Sequence, residues 1–220
     1  MTDPPAPFPR WLRALLCLGA SVCFFALLVA VAYNIREGGD ALWLDDAIAR
    51  HVPPHIAPHR TRLAERLTQI GSPAFIIPAT FVAALISAIV RRSFWTGIVV
   101  IATVGLVGIG STVGKQVITA AHPHLVEKMQ IGLQHTFPSG HVASALSLIG
   151  IVAIACGAKP RHLLVWLGIA IVTAIVAATR IYLGVHWFSD TLGGVLLGCS
   201  AVFAGAALLP DRPRPRAGQG

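Results

Sequence analysis

Six stretches of this chain contain no Asp, Glu, Lys or Arg: residues 14–33, 72–90, 93–114, 142–158, 163–179 and 191–209. They are 17 to 22 residues long and together hold 114 of the 220 residues. Crossing ~30 Å of hydrocarbon takes ~20 helical residues at ~1.5 Å each, with roughly 17–25 as the working range. The division predicts an all-α bundle of six transmembrane helices, with almost nothing left over for a second domain. Charged residues make up 12% of the chain, against about 25% in soluble domains. That shortfall excludes a disordered protein, an acidic scaffold and an ordinary cytosolic domain.

The net charge of +8 invites a nucleic-acid reading, but the placement of the charges excludes it. Arg10, Arg13, Arg91, Arg92, Lys159, Arg161, Arg212, Arg214 and Arg216 fall in the N-terminus, two very short connections and the tail. If the first helix starts inside, all nine are cytoplasmic and face only Asp3 and Asp211, while the other side carries eight bases and seven acids. Basic residues resist translocation, so the charge sets topology: both termini inside, three connections outside. The expected partners are membrane lipids rather than nucleic acid, and the sequence leaves the oligomeric state open.

The layout is then a cytoplasmic leader over 1–13, a membrane domain over 14–209, and a basic, Pro-rich tail over 210–220 that reads as disordered. Arg10, Arg13 and the Ala30-Val31-Ala32 triplet resemble a cleavable signal peptide. The first run exceeds the usual ~7–15-residue signal core, so an uncleaved helix is the preferred reading. The outer segments are 34–71, 115–141 and 180–190. In the first, His51, His55 and His59 are separated by Pro53, Pro54 and Pro58. Those prolines break any helix that would align them as metal ligands, so 34–71 reads as a solvated amphipathic loop. Cys17, Cys23, Cys156 and Cys199 lie inside apolar runs with no Cys-x-x-Cys pair, as expected of small buried hydrophobes. Trp11, Trp95, Trp166 and Trp187 fall near segment ends as candidate interfacial anchors. Gly105, Gly108, Gly110, Gly193, Gly194 and Gly198 predict close helix approach.

Three polar clusters converge on the outer face. Lys115 ends the third run, with His122-Pro123 seven and eight residues on; Phe137-Pro138-Ser139-Gly140-His141 opens the fourth; Thr179-Arg180, His186 and Asp190 lead into the sixth. Each suits a phosphate ester. Ser139 and Gly140 at a helix start offer a hydroxyl and backbone N–H groups to an anion. Lys115 is a point charge, and Arg180 a planar fork for two phosphate oxygens. Asp190 stands four residues after His186, so on a helix both face the same way. A carboxylate on one imidazole nitrogen fixes the tautomer and makes the other a better nucleophile. His141 remains as general acid for the leaving group. Singly, these residues read as a snorkelling lysine, a helix cap, interfacial histidines and an ion pair; the phosphate reading accounts for them together. His124, Glu127, Lys128 and His135 read as solvated loop residues.

These clusters resemble the signature of the type 2 phosphatidic acid phosphatase superfamily: Lys, six residues, Arg-Pro; then Pro-Ser-Gly-His; then Ser-Arg, five residues, His, three residues, Asp. The resemblance implies a membrane lipid phosphate phosphatase that works without metal or other cofactor through a phosphohistidine. It casts His186 as nucleophile, Asp190 as its orienting partner and His141 as acid, with Lys115, Ser139, Gly140 and Arg180 holding phosphate. The implied substrates are lipid phosphates such as a polyprenyl diphosphate, phosphatidylglycerophosphate or phosphatidic acid. A lipid phosphotransferase and a catalytically silent lipid-binding or transport protein are the alternatives. Two positions depart from the pattern. Thr179 replaces Ser and keeps the hydroxyl. His122 replaces Arg, and an imidazole is cationic only below ~6.5, so phosphate affinity is expected to fall as pH rises through its titration.

Overall fold

The computed structural model describes residues 9–37, 39, 41–52, 58–117, 136–159 and 161–210. In chain order they form α1 (Arg10–Arg36), α2 (Ala41–Ala49), α3 (Pro58–Thr68), a 3-10 turn (Gln69–Gly71), α4 (Pro73–Arg91), α5 (Phe94–Val117), α6 (Gly140–Cys156), α7 (Leu163–Tyr182) and α8 (Phe188–Leu208). No strand occurs among the described residues. The helices α1, α4, α5, α7 and α8 are each long and apolar enough to cross a membrane. The remaining apolar run forms α6, which has 17 residues and packs against α4, α5, α7 and α8.

Helix boundaries follow local chemistry. Ser72 caps α4 by accepting from Phe75 N at 3.3 Å, with Pro73 at the first helical position, where its missing N–H costs nothing. α6 stops at Gly157, whose φ of 96° lies in the left-handed region that glycine enters without a Cβ penalty. Around the bundle, Leu16, Phe25, Phe81, Ile89 and Leu164 remain exposed, the exterior expected of helices solvated by lipid.

Inside, small and polar residues set the packing. α1 is held to α8 by a reciprocal pair: Ser21 Oγ donates to Ser200 O at 2.9 Å, and Ser200 Oγ donates to Ser21 O at 3.0 Å. The Phe24 and Phe203 rings stack nearby, 5.6 Å between centroids. At the far end of α8, Arg13 donates to Leu209 O at 3.3 Å, Arg91 to Pro210 O, and Trp95 Nε1 to Leu208 O at 3.0 Å. Trp95 thus covers a carbonyl that the C-terminus of α8 leaves without a helical partner, and the two arginines cover carbonyls of the residues that follow.

Several expectations are corrected. Residues 34–71 are not a loop, since α2, α3 and the 3-10 turn occupy much of this segment. Pro58 is the first residue of α3 and His51 lies beyond the end of α2, so no described helix carries both His51 and His59. α1 begins at Arg10, within the expected leader, and α7 runs to Tyr182, which puts Arg180 on a helix. Cys23 and Cys156 are exposed, because an apolar side chain is equally at home on a lipid-facing surface. Trp187 is buried and anchors nothing at an interface. A Cβ at Gly105 or Gly108 would meet nothing within 4 Å, whereas Gly110, Gly193, Gly194 and Gly198 do face close neighbours. Residues 1–8 and 211–220 lie outside the described residues.

Candidate active site

The expected site residues gather at the end of the bundle opposite Arg13 and Arg91. Their frame is the N-terminus of α8. Residues 183–187 connect α7 to α8 through Gly184, at a left-handed φ of 68°, with Val185 N donating back to Arg180 O at 3.2 Å. The turn places His186 before the first residue of α8. The pair is therefore not made along a helix face, as the four-residue spacing suggested. Instead Asp190, in the first turn of α8, reaches back: its Oδ2 lies 3.3 Å from His186 Nδ1 and accepts from Trp187 N at 2.9 Å. Asp190 is wholly buried and His186 is 6% exposed.

The Asp190 main chain does a second job. Its carbonyl accepts from Ser139 N at 2.9 Å, which ties the Pro-Ser-Gly-His turn to the His–Asp pair. Glycines allow the approach. A Cβ on Gly193 would lie 2.3 Å from the buried Phe137 ring, and one on Gly194 would lie 2.6 Å from Ser139 O. α5 closes the other side: Ser111 Oγ donates to Pro138 O at 3.4 Å, and a Cβ on Gly114 would lie 2.5 Å from Pro138 Cδ. Lys115 is the next residue and half-buried. The Phe137–Pro138 bond is cis.

Ser139 occupies the N-cap position of α6 but makes no side-chain cap. Its Oγ, Arg180 Nε and Asp190 Oδ1 are buried and have no hydrogen-bond partner among the described residues. Polar atoms left so in a protein interior call for a reason. Arg180 extends from the last turn of α7, and its Nη1 donates to Thr68 Oγ1 at 3.4 Å. The 3-10 turn presses on α6, where a Cβ at Gly71 would lie 2.5 Å from His141 O.

The charges interact as a group: His141 feels Arg180, His186 and Lys115, and His186 feels Asp190, Arg180 and Lys115. Burial pushes the His186 imidazole below its ordinary range; Arg180 and Lys115 push the same way, while the bond and charge of Asp190 resist. Burial and the two cations thus favour the neutral imidazole, with Nδ1 toward a carboxylate. Such an arrangement suits a nitrogen nucleophile beside cations.

Lys115, Ser139, Gly140, His141, Arg180, His186 and Asp190 are brought to one place. His122 lies outside the described residues, as do His124, Glu127, Lys128 and His135. Sequence reasoning missed Thr68 and Asp45. Asp45 accepts from Ser189 N and Oγ, one residue before Asp190. The available signal was an acidic pair inside an otherwise apolar segment, Ala41–Ala49.

Comparison with known proteins adds the lineage. Phosphatidylglycerophosphatase B of Bacillus subtilis (strain 168) is 24% identical over 191 residues, covering 83% of this chain and 90% of the relative. The crystal structure of a transmembrane PAP2 type phosphatidylglycerolphosphate phosphatase from Bacillus subtilis superposes with a TM-score of 0.70 at 23% identity, covering 84% of this chain and 94% of that one. This second likeness establishes the shared fold. A family profile, the PAP2 superfamily, matches residues 14–214. That match takes in most of α1, the whole of the four other long apolar helices and every described residue of the cluster, and the chain is a multi-pass membrane protein belonging to the PAP2 superfamily.

Proposed function

We propose that this protein is an integral-membrane lipid phosphate phosphatase that works through a phosphohistidine on His186 and needs no metal. The observation that carries the reading is Ser139. A fully buried serine at a helix N-terminus that does not cap its own helix, with Arg180, whose Nε is equally unpartnered, acting on the neighbouring His141, is suited to receive an anion's oxygens.

In this mechanism Lys115, Ser139 Oγ, Gly140 N and Arg180 hold the phosphoryl oxygens. His186 donates Nδ1–H to Asp190, and its Nε2 lone pair attacks phosphorus. The bond from phosphorus to the leaving oxygen breaks, and His141 gives that oxygen its proton. Water then attacks phosphorus, His141 takes a proton from it, and the phosphorus–nitrogen bond breaks so that phosphate leaves with His186 restored. The cations neutralise charge that gathers on the equatorial oxygens in each transition state. His122 joins the phosphate set as a pH-dependent cation.

All six apolar runs span the bilayer, α6 included, with both termini cytoplasmic. Arg13 and Arg91 at the end opposite the cluster support this orientation, and the site then faces outward. An interfacial site suits an amphiphile whose tail stays in lipid while its headgroup meets the cations. Phosphatidylglycerophosphate is the substrate we favour, on the strength of the Bacillus relative. The test is phosphate release by purified protein in liposomes with chelator present. Phosphatidylglycerophosphate, phosphatidic acid and a polyprenyl diphosphate are to be compared. Turnover of phosphatidylglycerophosphate above the others, lost in His186→Ala, is expected. Release that requires added metal, or that survives His186→Ala, overturns the mechanism. Preference for another lipid overturns the substrate alone.

A further inference from the structure

The N-terminus of α8 lacks an ordinary cap. Its N-cap residue is Trp187, whose indole has a donor and no acceptor, so the first-turn N–H groups must be satisfied from elsewhere. Asp190 takes one, the N–H of Trp187 itself. Another is that of Ser189, and its partner comes from 144 residues away: Asp45 Oδ1 accepts from Ser189 N at 2.7 Å, while Oδ2 accepts from Ser189 Oγ at 2.6 Å. Both residues are buried, Asp45 to 1% exposure and Ser189 to 2%.

We infer that Asp45 is a positioning residue for the His186–Asp190 pair, clamping the first turn of α8 so that the Asp190 carboxylate stays on His186 Nδ1. The inference rests on the catalytic reading above. Three observations support it. The clamp is bidentate, and it grips the backbone N–H and hydroxyl of one residue, which fixes both position and rotation of the turn. Charge-assisted bonds of this kind are the strong ones, and a carboxylate at a helix N-terminus is further favoured by the backbone dipoles. Ser189 is also the immediate neighbour of Asp190, whose side chain holds His186 and whose carbonyl holds Ser139. A shift of this turn therefore moves the nucleophile, its partner and the phosphate-binding serine together. An α2 helix outside the five long apolar helices is in this way tied to the reacting centre.

The test compares Asp45→Asn, Ser189→Ala and the double variant with wild type in the full-length protein, reading kcat, KM, the pH profile and thermal unfolding. Asparagine keeps one acceptor and loses the charge. Misplacing a catalytic group by about 1 Å can cost a hundredfold, so Asp45→Asn should lose roughly tenfold to a hundredfold in kcat with KM little changed. Loosened contact with Asp190 should also shift the acid limb of its kcat profile to lower pH, because Arg180 and Lys115 then act on His186 less opposed. Ser189→Ala keeps the N–H bond and should lose about two- to fivefold, as for one hydrogen bond. The double variant should be no worse than Asp45→Asn alone. Equal kcat values, or independent multiplying losses, overturn the clamp. If Asp45→Asn does not fold, Ser189→Ala decides: lowered kcat at unchanged KM and unfolding temperature supports it, and unchanged kcat refutes it. Failure here leaves His186→Ala dead and the catalytic reading standing, so the two failures are distinct.

Discussion

At its N-terminal end α8 meets two buried carboxylates, Asp45 and Asp190; at its C-terminal end the carbonyls of Leu208, Leu209 and Pro210 meet the Trp95 indole, Arg13 and Arg91. Both sets answer the same requirement, because a helix leaves N–H groups bare at one end and carbonyls at the other. The acids and bases are also placed as the backbone dipoles favour. The ends differ in burial and in what else the groups touch. Asp190 is wholly buried and also holds a histidine, whereas Trp95 is half exposed and holds only a carbonyl. One end caps a helix and, on the proposed mechanism, builds a reaction centre with the same atoms. The other anchors a helix at the edge of the bundle. Perturbing the first should cost turnover, and perturbing the second should cost stability alone.

The largest break in that comparison is His186→Ala, which should lower phosphate release by on the order of a thousandfold or more, measured by phosphate liberation from lipid in liposomes. Acid should act next. The nucleophile must be neutral, and burial holds His186 below the ordinary imidazole range. Activity should therefore persist as pH falls through ~6.5 and decline only below it, by about tenfold per unit. An acid limb with its midpoint above ~6.5 in the kcat profile contradicts this. Gly194→Ala forces a Cβ onto the Ser139 carbonyl and should cost about 1–3 kcal/mol of stability, as overpacking does, along with turnover. Gly105→Ala, facing open space, should change neither in a thermal unfolding and activity assay. At the other end of α8, Trp95→Phe removes one bond to Leu208 O and should cost about 1 kcal/mol with kcat intact. The smallest effect is expected from His122→Arg, which should raise activity on the alkaline side by supplying a permanent cation; superimposable pH–rate profiles would sink that expectation.

Much of this was legible because lipid imposes a simple rule on sequence. Charge-free runs must be helices, and the six runs correspond to α1 and α4 through α8, with ends displaced by a few residues. Arg180 shows the limit of that rule. Hydropathy ends the fifth run at Thr179, yet backbone hydrogen bonding carries the helix past a charge that finds a partner in Thr68. The motif residues were legible by type and spacing, but their contacts were not. His186 and Asp190 meet through a reach back over a helix start, not along a helix face. Ser139 occupies a cap position without using its side chain as a cap. Asp45 stood in an acidic pair within an apolar segment, but its role could not be read there. Its meaning depends on Ser189, 144 residues away, and no local pattern distinguishes a buried clamp from a solvated acid in an amphipathic loop. Gly105 and Gly193 make the same point, since identical residues on apolar helices face open space in one case and the Phe137 ring in the other.

The most direct test of the account is to trap the covalent intermediate. Enzyme mixed with a lipid substrate radiolabelled in its terminal phosphate, and quenched within a turnover, should carry acid-labile, base-stable label on the peptide containing His186. His186→Ala should lose that label. Label on another residue, or wild-type turnover with no labelled protein at any quench time, would contradict a His186 nucleophile held by Asp190.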